Sequence, residues 1–86
     1  MDMQTHQDDE IARLRARLEV LTGSDPLAAL DMSARVEALA RACAAQAAVA
    51  ACRQGASWSD VGEAFGISKQ AAHQRFARHV RADRDR

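Results

Sequence analysis

The residues from position 57 to position 79 restrict the fold of this chain more than any other stretch. Ser57 and Ser68 each precede a run of apolar residues with helical spacing. A serine in that place caps a helix, because its side-chain oxygen accepts a hydrogen bond from a free backbone amide. Gly66 lies between the two runs and can take the left-handed conformation that ends a helix. The stretch therefore predicts a helix to about Phe65, a three-residue turn and a second helix over residues 68–80.

The apolar residues of this stretch predict a small core. The side chains expected to face inward are Val61, Phe65, Ile67, Ala72, Phe76 and Val80. Gly62 has no side chain to hold the two helices apart. Trp58 is expected to pack over the edge of the core, and the alternative is that its indole N–H donates to a phosphate. We predict that Phe65 and Phe76 are buried anchors of this unit.

These residues resemble the bacterial helix-turn-helix DNA-binding unit, in particular region 4 of sigma factors and many small regulators. In that unit a small residue lies four positions before the turn glycine, as Gly62 does before Gly66, and an apolar residue follows, as Ile67 does. The resemblance covers about the last third of the chain. Arg75 departs from it, because an aliphatic residue is common at that position. The resemblance implies that the second helix enters the major groove of double-stranded DNA.

The polar residues of the second helix divide into two predicted roles. Amide, ammonium and imidazole groups in its first turns suit base edges, and guanidinium groups further along suit phosphates. The predicted base-reading residues are Lys69, Gln70, His73 and Gln74. The predicted phosphate-binding residues are Ser68, Arg75, Arg78 and Arg81.

The charge of the chain is unevenly distributed although its net value is zero. Residues 1–68 contain ten acidic residues and six arginines, whereas residues 69–86 contain six basic residues and two aspartates. The positive end coincides with the predicted recognition helix. A solvated basic tail is the alternative, but on such a helix the charge favours a phosphate-binding surface.

The start of the chain predicts a dimerisation helix. Residues 1–7 show no periodicity and are expected to be disordered, and Asp8 begins an acidic helix start. The apolar residues that follow have the spacing of a coiled coil: Ile11, Leu14, Leu18 and Leu21. Thr22 and Gly23 are expected to end this helix. The stripe predicts a homodimer, and the alternative that it packs within its own chain stays open.

The middle of the chain predicts a long support helix rich in alanine. Asp25 is expected to cap a short helical turn that begins at Pro26, and Asp31 or Ser33 would cap a second helix that runs to Gln54 and stops at Gly55. Cys43 and Cys52 are about 180° apart on such a helix, so they cannot pair with each other there. We expect both to be small buried packing residues, with no metal site.

Length and pattern together predict the class of protein. A chain of 86 residues with one proline and little strand-like alternation is expected to be all-α, with a dimerisation and support region over residues 8–54, a helix-turn-helix over 55–81 and a charged tail over 82–86. No apolar run could span a membrane and no secretion signal is visible, so we expect a cytoplasmic protein. No catalytic constellation or cofactor motif can be assembled, which favours a protein that is not an enzyme.

Two functions are compatible with this pattern. The first is a dimeric, sequence-specific DNA-binding protein, most simply a transcriptional regulator. The alternative is a protein–protein interaction module, such as an adaptor, an antitoxin or an accessory subunit, that uses the same fold. Long hydrogen-bonding side chains on the second helix favour DNA, since a protein-binding groove is expected to expose Leu, Met or aromatic residues.

Overall fold

The computed structural model describes residues 3–86 and contains four helices. These are α1 (Met3–Ser24), α2 (Pro26–Arg53), α3 (Trp58–Phe65) and α4 (Lys69–Arg84). No strand occurs in the described part of the chain. The prediction of an all-α fold is therefore confirmed. None of the helices in residues 3–86 combines the length and the apolarity that a membrane crossing requires.

The chain divides into two compact units, and the boundary lies within α2. Unit 1 ends at Leu39, and unit 2 is Ala40–Arg86. In the described part of unit 1, Ala29 is the one buried apolar residue, and Leu18, Leu21 and Val36 are half-buried. Unit 2 holds the other buried residues described. Its core is a cluster of Ala48, Val61, Ala72 and Phe76.

Helix α1 is longer than predicted at both ends. It begins at Met3, so the prediction of disorder is wrong for residues 3–7, while Met1 and Asp2 lie outside the described residues. Residues 3–7 contain no glycine or proline, so nothing in them interrupts the helix. The helix also continues through Gly23, because the hydroxyl of Ser24 donates to the carbonyl of Val20 and keeps the last turn closed.

Helix α2 is a single helix with the predicted start. The Asp25 side chain accepts a hydrogen bond from the amide of Ala28 at 3.2 Å, and Pro26 is the first helical residue. The predicted second start at Asp31 or Ser33 is wrong. Asp31 pairs with Arg35 one turn later, and the Ser33 hydroxyl donates to a backbone carbonyl inside the helix. These side chains bond along the helix because neither glycine nor proline interrupts residues 27–53.

The core of unit 2 agrees with most of the predicted inward set. Val61, Ala72, Phe76 and Val80 are buried, and Ile67 and Trp58 pack against the cluster half-buried. Phe65 is an exception, with 43% of its surface exposed. It is the last residue of α3, where the chain turns away, so its ring contacts the core on one side only.

The two cysteines were predicted to be buried, and this is wrong for one of them. Cys43 is exposed on α2, and Cys52 is half-buried against the core of unit 2. Both are free thiols. Cys43 lies outside the set of residues that pack against the core of unit 2, whereas its neighbour Ala44 belongs to that set.

Candidate nucleic-acid interface

Helix α3 is held at both ends by the predicted caps. The Ser57 hydroxyl accepts a hydrogen bond from the amide of Asp60 at 3.0 Å, and the Asp60 carboxylate accepts one from the amide of Ser57 at 2.9 Å. The bond from the Ser57 amide to the carboxylate, and after it the Ser57 side chain, lower the pKa of Asp60 below its ordinary value. Gly66 ends the helix in the left-handed conformation, with φ 77° and ψ 29°. The reciprocal cap fixes where α3 begins, and Gly66 fixes where it ends.

The turn between α3 and α4 depends on Gly62. The amide of Ile67 donates to the carbonyl of Gly62 at 2.8 Å, which folds the turn back against α3. A Cβ atom on Gly62 would lie 2.7 Å from the carbonyl oxygen of Ile67 and 3.0 Å from the carbonyl of Ser68. The Ser68 hydroxyl then caps α4 by accepting from the amide of Ala71 at 3.0 Å. The direction of α4 relative to α3 is thus set by backbone contacts.

Helix α4 turns one side to the core and the other to solvent. Ala72, Phe76, Ala77 and Val80 are buried on the first side. Every predicted DNA-contacting residue is exposed, namely Ser68, Lys69, Gln70, His73, Gln74, Arg75, Arg78 and Arg81. The first half of the exposed face therefore consists of amide, ammonium and imidazole groups, and guanidinium groups follow towards the carboxyl end. This arrangement offers donors and acceptors in reach of base edges and cations in reach of phosphates.

Trp58 contacts this face, which the sequence did not predict. Its ring meets the ring of His73 edge to face, with 5.2 Å between centroids and an interplanar angle of 83°. Together with Lys69 and Gln70, the two rings line a shallow hollow at the start of α4. The contact restricts the orientation of the imidazole, since an edge-to-face pair has a preferred geometry. The two residues are 15 positions apart, so helical periodicity within one element could not reveal it.

Arg75 is placed differently from the other arginines of α4. Its guanidinium carbon lies 4.9 Å from the centroid of the Phe65 ring and 5.7 Å from that of Phe76. The two phenylalanine rings are themselves edge to face at 5.5 Å. Arg75 thus covers part of the exposed ring of Phe65 through a cation–π contact. This contact takes the place of the aliphatic residue expected at position 75, and the phosphate role of Arg75 stays a prediction.

An ion pair ties the end of α2 to the end of α4. The Nε of Arg53 donates to Asp83 at 2.8 Å, and a second bond runs from its terminal nitrogen to the other carboxylate oxygen. The side chain of Asp83 is only 14% exposed. The hydrogen bond from Arg53 holds the pKa of the Asp83 carboxyl below its ordinary value. The pair is 30 residues apart in sequence, so no local signal could predict it.

The ion pair predicts how the stability of unit 2 depends on pH. The pKa of Asp83 is lower in the folded state than in the unfolded state, so its ionised carboxylate stabilises the folded state at pH values above the ordinary carboxyl pKa. This stabilisation is lost as the pH falls through the pKa of the folded state. Asp60 acts in the same direction. We expect the melting temperature to decrease as the pH is lowered below about 4. We expect this decrease to be smaller for Arg53→Gln. Circular-dichroism melts of both proteins across this range measure it. Equal pH slopes would show that the pair does not stabilise the folded state.

Metal binding has no geometric support in the described part of the chain. Residues 3–86 contain no group of three or more His, Cys, Asp or Glu side chains that could hold an ion.

Comparison with known proteins gives a short match. The chain is 53% identical over 30 residues to an uncharacterized protein of Mycobacterium bovis and to uncharacterized proteins of two strains of Mycobacterium tuberculosis. The match covers 35% of this chain and 12% of the length of each relative. No protein-family model matches the chain, and no solved structure matches it.

Proposed function

We propose that this protein binds double-stranded DNA and reads the major groove with α4. In this proposal α3, the turn and α4 form a helix-turn-helix unit of the kind found in region 4 of sigma factors and in small bacterial regulators. The observation that carries the proposal is the exposed face of α4, where Lys69, Gln70, His73 and Gln74 are presented together by a helix with a fixed start. The protein would act by binding, as a transcriptional regulator, rather than by catalysis.

The charge of α4 supports this proposal. Residues 69–86 contain six basic residues and two aspartates, and one of these aspartates, Asp83, is already paired with Arg53. Arg78 and Arg81 are exposed, and neither takes part in an ion pair found among the described residues. Their charge can therefore act on a phosphate backbone, where each neutralised phosphate releases a counterion.

The proposal assigns different roles to the two parts of the face. A carboxamide can donate to and accept from an adenine edge, so Gln70 and Gln74 would read bases, with Lys69 and His73 beside them. Arg78 and Arg81 would contact phosphates, and Ser68 would mark the amino end of α4 that approaches the backbone. As a homodimer, the protein would recognise a site with two-fold symmetry, because two identical half-sites match two identical α4 helices.

The two roles predict two kinds of mutational effect. Gln70→Ala or Gln74→Ala should cost about 1–3 kcal/mol on the cognate site and little on random DNA. Arg78→Ala should weaken both kinds of DNA alike and lower the salt slope by about one unit. Fluorescence anisotropy with genomic fragments, followed by the selected site and a scrambled duplex, measures both effects.

Matched controls lie on the exposed surface of α2. Gln46→Ala and Arg41→Ala change the same residue types outside α4 and should leave both kinds of binding unchanged. If Gln70→Ala and Arg78→Ala reduced specific and nonspecific binding in equal proportion, the division of roles would be refuted. If the wild-type protein bound no DNA at low salt, DNA binding itself would be refuted.

One observation favours the protein-interaction alternative. Phe65 is an exposed aromatic residue beside a shallow apolar hollow that also includes Ala44, Ala48 and Val61. Such a surface could accept a helix of a protein partner. This hollow is apolar, unlike the exposed polar face of α4, and Arg75 already covers part of the Phe65 ring. A partner that bound here would be lost with Phe65→Ala and kept with Gln70→Ala, the reverse of what DNA binding predicts.

A further inference from the structure

The apolar side chains of unit 1 are mostly exposed. Nine large apolar residues are exposed in residues 3–86, and eight of them lie in unit 1, with Phe65 as the ninth. Within that unit Ala29 is the one buried apolar residue described, at 6% exposure. A unit of fewer than about 40 residues with so little core does not fold stably alone, and oligomerisation is one of the usual remedies.

The apolar residues of unit 1 include two regular stripes, which contain several of the exposed ones. On α1 the stripe is Ile11, Leu14, Leu18 and Leu21, and on α2 it is Ala29, Met32, Val36 and Leu39. Both have the alternating spacing of three and four residues that keeps side chains on one face of a helix. Leu14, Leu18 and Leu21 line a single apolar hollow with Met32, so residues of both stripes meet there.

Exposure changes in the same way along both stripes. On α2 it is lowest at the buried Ala29 and highest at Leu39, which is 65% exposed, with Met32 and Val36 between these values. On α1 it rises from the half-buried Leu21 and Leu18 back to Ile11, which is also 65% exposed. The residues nearest the connection at Asp25 are thus the best covered, and those furthest from it are the least covered. The apolar surface left open is contributed by both helices.

We infer that a second copy of this chain covers this surface, with α1 and α2 of each copy contributing. The interface would then contain four helices. A two-stranded coiled coil of α1 alone would leave Met32 and Leu39 exposed. The inference does not depend on DNA binding, since self-association can be measured without DNA.

The available area fits a dimer of modest affinity. A large aliphatic side chain offers roughly 60–120 Å² of apolar surface. The seven large residues of the two stripes, partly covered already, can supply about 300–450 Å² from each copy. The flanking side chains bring the total for two copies towards the lower end of the range for specific complexes, about 1,200 Å². We therefore expect a dimer that dissociates in the micromolar range.

The charge of unit 1 gives a way to distinguish a second copy of the chain from a basic partner. Residues 1–39 contain eight acidic residues and four arginines. Two such units repel each other weakly at long range, so added salt should strengthen or preserve their association. A basic partner, including the positively charged α4 region of another molecule, would instead bind less well as salt is added.

A matched pair of leucines tests the inference. Leu39 is 65% exposed and lies on the α2 stripe, whereas Leu30 is 67% exposed and lies outside it. Sedimentation equilibrium of the full chain should show that Leu39→Ser and Ile11→Ser weaken dimerisation about tenfold or more. Leu30→Ser should leave the dimer unchanged. Equal effects of Leu39→Ser and Leu30→Ser would contradict the assigned surface.

The unmodified chain provides a second measurement that does not depend on a variant folding. Its melting temperature should rise with protein concentration, because dimerisation stabilises the folded form by mass action. A monomer at hundreds of micromolar with a melting temperature independent of concentration would overturn the inference. Self-association that weakened steadily with salt would overturn it too, in favour of contact between acidic and basic surfaces.

Discussion

Replacing Phe76 by alanine should remove a large part of the stability of unit 2. The Phe76 ring is 3% exposed and joins the core cluster with Ala48, Val61 and Ala72. Truncating a buried phenylalanine costs about 3–5 kcal/mol, because the contacts are lost and a cavity remains. A domain of this size has only about 5–15 kcal/mol in total. We expect the melting temperature of Phe76→Ala to fall sharply, and any DNA binding to be lost with the fold.

The matched control is the other phenylalanine. Phe65 is 43% exposed and contacts Phe76 and Arg75 at its ring. Since less of its surface leaves water on folding, Phe65→Ala should cost clearly less, about 1–2 kcal/mol. Denaturant unfolding followed by circular dichroism compares the two. A Phe76→Ala protein as stable as the wild type, or less affected than Phe65→Ala, would show that the helical phase of α4 is wrong.

Adding one methyl group at Gly62 should also destabilise unit 2 strongly. In an open helix, alanine in place of glycine stabilises the fold by about 0.5–1 kcal/mol. At Gly62 the new Cβ atom would lie 2.7 Å from the carbonyl oxygen of Ile67. That atom belongs to the backbone of the turn, so the turn or α3 must shift. We expect Gly62→Ala to cost about 2–3 kcal/mol, in the upper part of the range for overpacking.

Gly23→Ala is a control for which we expect the opposite change in stability. Gly23 lies in α1, its φ is not positive, and a Cβ atom there would have no other atom within 4 Å. Gly23→Ala should therefore stabilise the helix by about 0.5–1 kcal/mol. Chemical denaturation of the two variants gives the comparison. If Gly62→Ala were neutral or stabilising, the close approach of α3 and the turn would be disproved.

The parts of the fold that were predictable from the sequence depend on local chemistry. Ser57, Ser68 and Gly66 each act on atoms within a few residues, so their roles at the helix ends were correctly predicted and are confirmed. Asp25 and Pro26 are similar, since a cap and a first helical residue need no distant partner. The buried stripe of α4 followed from spacing alone, because three of its positions repeat every four residues.

Local signals also produced the errors. A side chain that can cap a helix can equally bond along one, so Asp31 and Ser33 suggested a helix start where α2 is continuous. The lack of periodicity in residues 3–7 predicts disorder, but α1 extends through them. Helical periodicity is visible in a sequence only where apolar residues form one face of a helix. A helix that has no such face therefore shows no periodic pattern.

Contacts between distant residues could not be predicted. Arg53 meets Asp83, Trp58 meets His73, and Arg75 covers Phe65 only because the fold brings them together. The exposure of Phe65 has the same origin, since it depends on where the chain turns after α3. The candidate site was thus predicted as a set of surface residues on α4, while the neighbours that orient them required the structure.

The most direct test of DNA binding by α4 is a map of backbone amide chemical shifts during titration with a short DNA duplex at low salt. Low salt is chosen because phosphate contacts then support binding without knowledge of the target sequence. The predicted result is a set of changes concentrated at Lys69, Gln70, His73, Gln74 and Arg78, with unit 1 little affected. A spectrum unchanged by excess DNA, or changes that avoid α4, would contradict the proposed function.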